Sequence, residues 1–368
     1  MTEIRSSLNG ILERFIDRGI VGVSAAVLVP GMPVITATGG LANAATGEEV
    51  TPAHLFKIAS CTKTFVATTL LRLAVSGNLS LDASVRQWFP ELPALNDLTV
   101  RHLINHRSGL PEFEHDMPMG ADEKWSPAEI VDFAFRVGIQ SEPDQVVSYS
   151  NTGYVLAGAL IERLTTSTLA EQIRKLILSP LALGDTYSLL EEGYPDDRLA
   201  HGYFHFPEST LPANATLAEG ADMWNMNGVL ERSAELQDSS ELFSPSSLYA
   251  AGDMVATATD LVRFMDGLFA SEILEPAVLT TLTGDRWPTD FPGTRQRQSG
   301  AGLFVSSYGD RDLFGHQGSV PGYVSLMQHD AESGISYALL TNTGANNRLS
   351  FQASGLHAVM DEIVVATG

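Results

Sequence analysis

The sequence predicts an α+β fold: one antiparallel sheet flanked by helices, with a mostly helical domain inserted into it. Three observations predict it. Apolar, strand-like runs lie near the start, at 21–29 and 33–38. Similar runs return near the end, between 300 and 341. The stretch between them, from about 79 to 190, reads as helix and loop. The simplest assembly joins both ends of the chain in one sheet, covered by the terminal helices. Residues 1–62 and 245–368 then form a discontinuous α/β domain, and 63–244 the helical one. A cleft would form between them.

Each element has its own signal. Residues 2–18 have the periodicity of an amphipathic helix. Pro30-Gly31-Met32 joins the first two strand runs as a hairpin. Phe65, Val66, Leu70, Leu71, Leu73 and Ala74 mark a helix that follows Ser60, and Gly77-Asn78 stops it. Further helices are expected over 127–137, 153–164 and 169–178. Residues 206–245 are rich in Glu, Asp, Asn, Ser and Pro, and read as a lid or insertion. Trp224, Met226 and Leu230 in it could wall a pocket for an apolar side chain. A short helix is expected over 260–269. Strands follow at 300–308, 311–318, 324–329 and 335–341, the last two joined by a turn at 330–334. A final helix covers about 351–366.

Composition narrows the function. The 368 residues, 44% of them hydrophobic, can build a large core. The net charge of −22 repels nucleic acid and anionic membranes and favours solubility. The single cysteine, Cys61, permits no intrachain disulfide, which fits a reducing compartment. The N-terminus lacks a basic start followed by an apolar run, and the apolar run at 20–30 is too short to span a bilayer. A cytoplasmic location follows. His201 and His205 have i, i+4 spacing, but no HExxH or carboxylate partner accompanies them, and Gly202 disfavours a helix there. No metal, organic cofactor, nucleic acid or membrane partner is expected. Assembly into a homo-oligomer stays open.

The chemistry centres on ASCTKTF, residues 59–65. Only four lysines occur in the chain, and Lys63 follows Ser60 by three residues. On a helix that spacing puts both on one face. A serine hydroxyl is a weak nucleophile until a base takes its proton. Lysine serves as that base when burial depresses its pKa. A helix start also favours a developing oxyanion. Cys61, one residue on, points away from this face and reads as a buried structural thiol.

Two more stretches belong with it. EPDQVVSYSNTG, residues 142–153, presents Tyr149 and Asn151 just before an apolar helix. A tyrosine near cations can exist partly as phenolate and shuttle protons. The asparagine amide can donate to a carbonyl and accept from Lys63. LFGHQGSVPGY, residues 313–323, delivers His316 on a strand, and its small residues leave room for substrate at the strand edge.

S-x-x-K, Y-S-N and H-Q-G in this order resemble the serine β-lactamase/penicillin-binding-protein-like hydrolases. The branch is that of class C β-lactamases, D-aminopeptidases and related esterases, and the likeness is greatest to bacterial D-amino-acid amidases. HLFKIASCTKTFVATTLL, LINHRSGLP, YSNTGYVLAGALIERL, SPLALGDTYS and AAGDMVATATDLVRFM extend the resemblance over roughly 20 to 345. It implies that Ser60 is acylated, that Lys63 and Tyr149 transfer protons, and that Tyr149 protonates the leaving group. It implies an oxyanion hole from the backbone N–H groups of Ser60 and Ser319, with Gln317 and Gly318 beside the substrate. Asn151 would hold Lys63 and the substrate amide.

The third motif of that family usually begins with lysine, a permanent cation that helps bind substrate carboxylates. Here it is His316, mostly neutral near pH 7 unless a carboxylate raises its pKa. That favours a leaving group without a carboxylate, such as ammonia, a small amine or an alcohol. The acids of PEFEHD, residues 111–116, would attract an ammonium, and Glu114 matches the position where the resemblance places the substrate amine. The expected activity is D-stereospecific hydrolysis of amino-acid amides, a small-molecule reaction. A D-aminopeptidase, short-chain esterase or acyltransferase would use the same machinery. A β-lactamase, D,D-carboxypeptidase or non-catalytic penicillin-binding sensor fits less well.

Overall fold

The computed structural model describes residues 1–92, 98–114, 117–204, 236–284, 286–289, 295–344 and 355–367. Helix α1 (Thr2–Ile16) buries Leu8, Ile11, Leu12 and Phe15, one stripe at three- and four-residue spacing. Strands β1 (Gly22–Leu28) and β2 (Ile35–Asn43) form the expected hairpin, with Val27 opposite Ile35. β3 (Glu48–Glu49) edges β2, and β4 (Phe56–Lys57) leads to a single 3-10 turn at Ala59–Cys61. Helices α2 (Thr62–Val75), α3 (Val100–Ile104), α4 (Pro127–Phe135), α5 (Asn151–Thr165) and α6 (Leu169–Ile173) follow. α6 continues into a wider turn at Arg174–Leu178.

Short strands β5 (Thr186–Ser188), β6 (Tyr203–Phe204) and β7 (Gln237–Asp238) precede α7 (Tyr249–Gly252) and β8 (Met254–Ala256). Then come α8 (Ala258–Phe269), α9 (Pro276–Gly284), β9 (Trp287–Pro288) and β10 (Gln296–Ser299). The chain continues with β11 (Phe304–Tyr308), β12 (Arg311–Val320), β13 (Tyr323–Asp330), β14 (Ile335–Thr341), β15 (Thr343–Gly344) and α10 (Leu356–Thr367).

The main sheet runs β3-β2-β1-β14-β13-β12-β11-β10-β9 and is antiparallel throughout. Its centre is the join between β1 and β14, with Val23 opposite Thr341. Both ends of the chain therefore make one sheet. Side-chain alternation divides it into two faces. Val23, Ala25, Val27, Tyr337 and Leu339 pack against α1 and α10. Ala26, Ala338 and Leu340 share the other core with Leu261, Phe264 and Met265 of α8. That second core continues into the helical region around α2, which is buried on nearly every side.

The expected strand over 300–308 starts only at Phe304. Residues 300–303 instead turn the chain from β10 into β11, and Gly302 takes a left-handed φ of 76° there. Two small sheets, β4-β8-β5 and β15-β6-β7, had no sequence signal of their own. Trp224, Met226, Leu230 and His205 lie outside the described residues.

The small sheet built on β8 holds the turn at Ala59–Cys61 in place. Phe56 pairs with Ala256, and the Ile58 N–H donates to the Met254 carbonyl at 2.9 Å. On the other side β12 passes so closely that a Cβ on Gly318 would stand 2.2 Å from the Ile58 carbonyl oxygen and 2.9 Å from the Ser60 nitrogen. The third neighbour is the buried Ser325 hydroxyl at 2.6 Å, so the backbone of residues 58–60 would have to shift. Gly318→Ala is expected to lower Tm by roughly 2–8 °C, the effect of an overpacking cost of about 1–3 kcal/mol. An unchanged melting curve would show that the turn shifts freely.

Candidate active site

Ser60 sits in the turn Ala59–Cys61, not in the helix proper; α2 starts two residues later. Ala59 has a left-handed φ of 47°, a strained value for a residue with a Cβ. The strain is held by buried contacts: Ala59, Cys61 and Thr62 are fully covered. Lys63 still reaches Ser60, with Nζ 3.1 Å from Oγ.

Lys63 is wholly buried, and its amine donates to the Ala251 carbonyl at 2.7 Å. Burial lowers its pKa to about 7, against the opposing pull of Glu114 and Glu112. A neutral amine with a lone pair toward Ser60 is thus accessible near neutrality. The Tyr149 ring lies 4.8 Å from Nζ, and its phenol hydrogen-bonds with Ser60.

The expected phenolate character of Tyr149 is corrected by its surroundings. Burial pushes its pKa well above the ordinary value, and the Glu114 and Glu112 charges add to the rise. The one nearby lysine is itself easily neutralised. Tyr149 is therefore a protonated phenol, fit to give a proton rather than to take the first one.

Asn151 opens α5. Ser150 caps the helix, its Oγ accepting from the Gly153 N–H at 3.0 Å. The expected bond from Asn151 to Lys63 is not made. Glu112 takes the Asn151 amide instead: Nδ2 donates to Oε2 at 3.0 Å, and the backbone N–H to Oε1 at 2.8 Å. Burial raises the Glu112 pKa to about 7, although Ser150 and Asn151 hydrogen bonds oppose the shift.

His106 stacks on Tyr149 with ring centroids 4.5 Å apart. Its Nδ1 accepts the Ser150 N–H at 3.1 Å. It has a left-handed φ of 60° and is buried and neutral, its pKa pushed well down by burial. Glu112, His106 and the Ala251 carbonyl went unassigned from the sequence. The first two lie in the quoted stretches PEFEHD and LINHRSGLP; the third is backbone and carries no side-chain signal.

Glu114 is 8% exposed and accepts no hydrogen bond among the described residues. Burial, then the Glu112 charge, pushes its pKa up to about 8, with Lys63 pulling the other way. On the opposite wall, His316 is buried in β12, and its Nδ1–H donates to the Gln317 carbonyl at 2.6 Å. Burial and the Lys63 charge bring its pKa down to about 3. It is a neutral imidazole at physiological pH, unlike a lysine at that place. The turn and the strand thus bring Ser60, Lys63, Tyr149, Asn151, Glu114 and His316 to one place, with Gln317, Gly318 and Ser319 next along β12.

Cys61 is buried against β12 and β13, its Sγ 3.3 Å from Ser325 Oγ, and burial raises its pKa to about 12. His201 pairs with Asp238 at 2.7 Å. Among the described residues no group of three or more His, Cys, Asp or Glu could hold a metal ion. None of their helices is long and apolar enough to cross a membrane.

A buried serine–lysine–tyrosine set on a mixed sheet-and-helix scaffold defines a serine hydrolase. A family model described as Beta-lactamase matches residues 8–359, and the chain belongs to that family. It is similar to the crystal structure of D-amino acid amidase from Ochrobactrum anthropi SV3 complexed with L-phenylalanine. The two are 39% identical with a TM-score of 0.91, covering 98% of each chain. The same amidase complexed with D-phenylalanine matches with a TM-score of 0.90. Penicillin-binding protein 4 of Amycolatopsis lactamdurans is 27% identical over 347 residues, 89% of this chain and 82% of the relative. Esterase EstB of Burkholderia gladioli is 27% identical over 365 residues, 89% of this chain and 87% of the relative.

The burial of Glu114 has a stability consequence. Its pKa in the folded state, about 8, exceeds that of an unfolded carboxyl, about 4.3. Folding therefore loses stability as pH rises between those values. Glu114→Gln is expected to raise Tm by a few degrees, roughly 2–5 °C, at alkaline pH and to leave it unchanged near pH 4. Melting curves at both pH values check it; equal shifts at the two would contradict the burial argument.

Proposed function

We propose that the protein is a D-stereospecific amidase that hydrolyses amides of D-amino acids carrying a free α-amine. The observation that carries this reading is Glu114: a buried carboxyl with no hydrogen-bond partner among the described residues, electrostatically coupled to Lys63 beside the nucleophile. A buried charge is retained when it has a partner, and a substrate ammonium supplies one. The 39% identity to a D-amino acid amidase over nearly the whole chain supports the same reading. So does the neutral His316, which offers no cation to a carboxylate-bearing leaving group.

In this mechanism Ser60 Oγ attacks the carboxamide carbon as its proton passes to the neutral Lys63 amine. The oxyanion forms against the backbone N–H groups of Ser60 and Ser319. The C–N bond breaks as Tyr149 gives its phenol proton to the departing nitrogen, and Lys63 restores that proton. Ammonia leaves. Water attacks the acyl ester, a proton returns through the Lys63–Tyr149 pair to Ser60 Oγ, and the amino acid departs. Chirality is read by three attachments: the carbonyl at Ser60, the ammonium at Glu114, and the side chain. The substrate is a small molecule, probed best with an aromatic D-amino-acid amide, and the cytoplasm is the compartment proposed for the reaction.

The test is ammonia release from D- and L-phenylalaninamide, with Ser60→Ala as control. Release from the D form alone, abolished in the variant, is the expected result. Release from neither, with aryl-ester hydrolysis intact, would overturn the reading in favour of an esterase. Glu114→Gln should lower kcat/KM for D-phenylalaninamide by about 10²-fold or more, the loss of a buried charge pair. Its effect on an aryl ester lacking the amine should be several-fold at most.

The pH profile gives a separate check. Lys63 must be neutral, so kcat/KM should rise as pH passes about 7. The substrate ammonium must stay protonated, so the D-amide profile should fall again at higher pH. The aryl ester should show the acid limb only. A bell shape for both substrates would place the alkaline limb on the enzyme.

A further inference from the structure

Two neighbouring residues on the approach to Ser60 hold sparsely populated backbone angles. Ala59 has its left-handed φ of 47°, and Ile58 lies at φ −93°, ψ −4°. One motion relieves both. If the Ile58–Ala59 peptide plane turned over, ψ of Ile58 and φ of Ala59 would change together, and both residues would return to extended values that a side chain with a Cβ prefers.

The Ile58 carbonyl oxygen marks which way that peptide faces. It accepts the Cys61 N–H at 3.1 Å and so closes the 3-10 turn that has Ser60 at its centre. Turning the peptide over would take this acceptor away and open the turn. The Ile58 N–H belongs to the preceding peptide and stays on the Met254 carbonyl at 2.9 Å, so it does nothing to prevent the flip.

The restraint comes from β13. Ser325 is wholly buried there and stands opposite Gly318 in the pairing of β12 with β13. Its Oγ lies 2.7 Å from the Ile58 oxygen and 3.5 Å from the Gly318 oxygen. A hydroxyl has one hydrogen, and the shorter contact takes it, so Ser325 donates to Ile58. Its lone pairs are left for the Cys61 thiol, whose Sγ is 3.3 Å away and also 3.5 Å from the His316 carbonyl oxygen.

We propose that Ser325 is a positioning residue: its hydroxyl holds the Ile58–Ala59 peptide against the flip and thereby keeps Ser60 aimed. It touches no substrate and acts through the Ile58 carbonyl. The proposal rests on Ser60 as the nucleophile of the reading above, not on the preference for amides over esters.

The test uses p-nitrophenyl acetate and D-phenylalaninamide, on whichever of them the wild-type protein turns over, well below Tm. Acylation and deacylation both develop an oxyanion at Ser60, so both slow when the turn opens, and KM, which follows their ratio, changes little. In Ser325→Ala kcat should fall about 10-fold or more, with KM within about threefold. Ser325→Cys keeps a weaker donor and should lie between the two. The discriminating variant is Ala59→Gly combined with Ser325→Ala. Glycine takes a φ of 47° without strain, so the flip gains far less, and kcat should recover at least about threefold over Ser325→Ala. A hydroxyl that served stability alone would lower Tm in Ser325→Ala and leave kcat as it was. That outcome overturns the inference, and so does a double variant no faster than Ser325→Ala. Absence of ammonia release from D-phenylalaninamide, with ester hydrolysis intact, sinks the amidase reading and leaves this inference standing. Turnover of neither substrate, or turnover undiminished in Ser60→Ala, removes the nucleophile and the inference together.

Discussion

The burial of one lysine amine governs this structure. In water Lys63 would be a cation and useless as a base. Enclosed by protein, it loses enough hydration to release its proton near neutrality. Everything around it serves that enclosure. Ala251 gives its carbonyl to the amine, β8 holds the approach to the nucleophile, and β12 closes the other side at Gly318. The same dryness that lets Lys63 lose its proton keeps Tyr149 a protonated phenol, since each group is pushed toward its uncharged form.

The enclosure is costly. Three acids and bases that would be charged on a surface, Lys63, Glu112 and Glu114, share one buried region with pKa values between about 7 and 8. Sequences optimised for stability avoid such clusters, and function retains them. The nine-stranded sheet and its two cores carry the load. The strained Ala59 and His106 backbones show where the scaffold forces local geometry that the residues would not choose alone.

The sheet and the long helices were legible because periodicity reports burial. α1 alternates apolar and polar residues at helical spacing, α2 and α5 are mostly buried runs of helical length, and β1, β13 and β14 are short apolar runs closed by turn residues. The three catalytic stretches were legible because a rare lysine beside a serine, a Tyr-Ser-Asn at a helix start and a glycine-flanked histidine each have a chemical reason. What stayed hidden depends on direction. The sequence shows two acids in Glu112 and Glu114 but not that one is tied to α5 while the other is buried with no hydrogen bond among the described residues. It shows Asn151 but not which end of its amide is taken. It shows Tyr149 near a cation but not that burial outweighs that cation. The β5, β8 and β9 strands are two or three residues long, too short for any period to appear.

Cys61 is the neighbour of the nucleophile on the same turn, buried, with a thiol held near pKa 12. Peroxide attacks thiolate, not thiol, so almost none of this sulfur is in the vulnerable form at physiological pH. Its neighbour Ser60 carries a hydroxyl, which climbs no oxidation ladder at all. The turn is thus built so that its reactive atom is inert to oxidants and its oxidisable atom is out of their reach. The acylation proposed at Ser60 would therefore not be lost through oxidation of the neighbouring thiol.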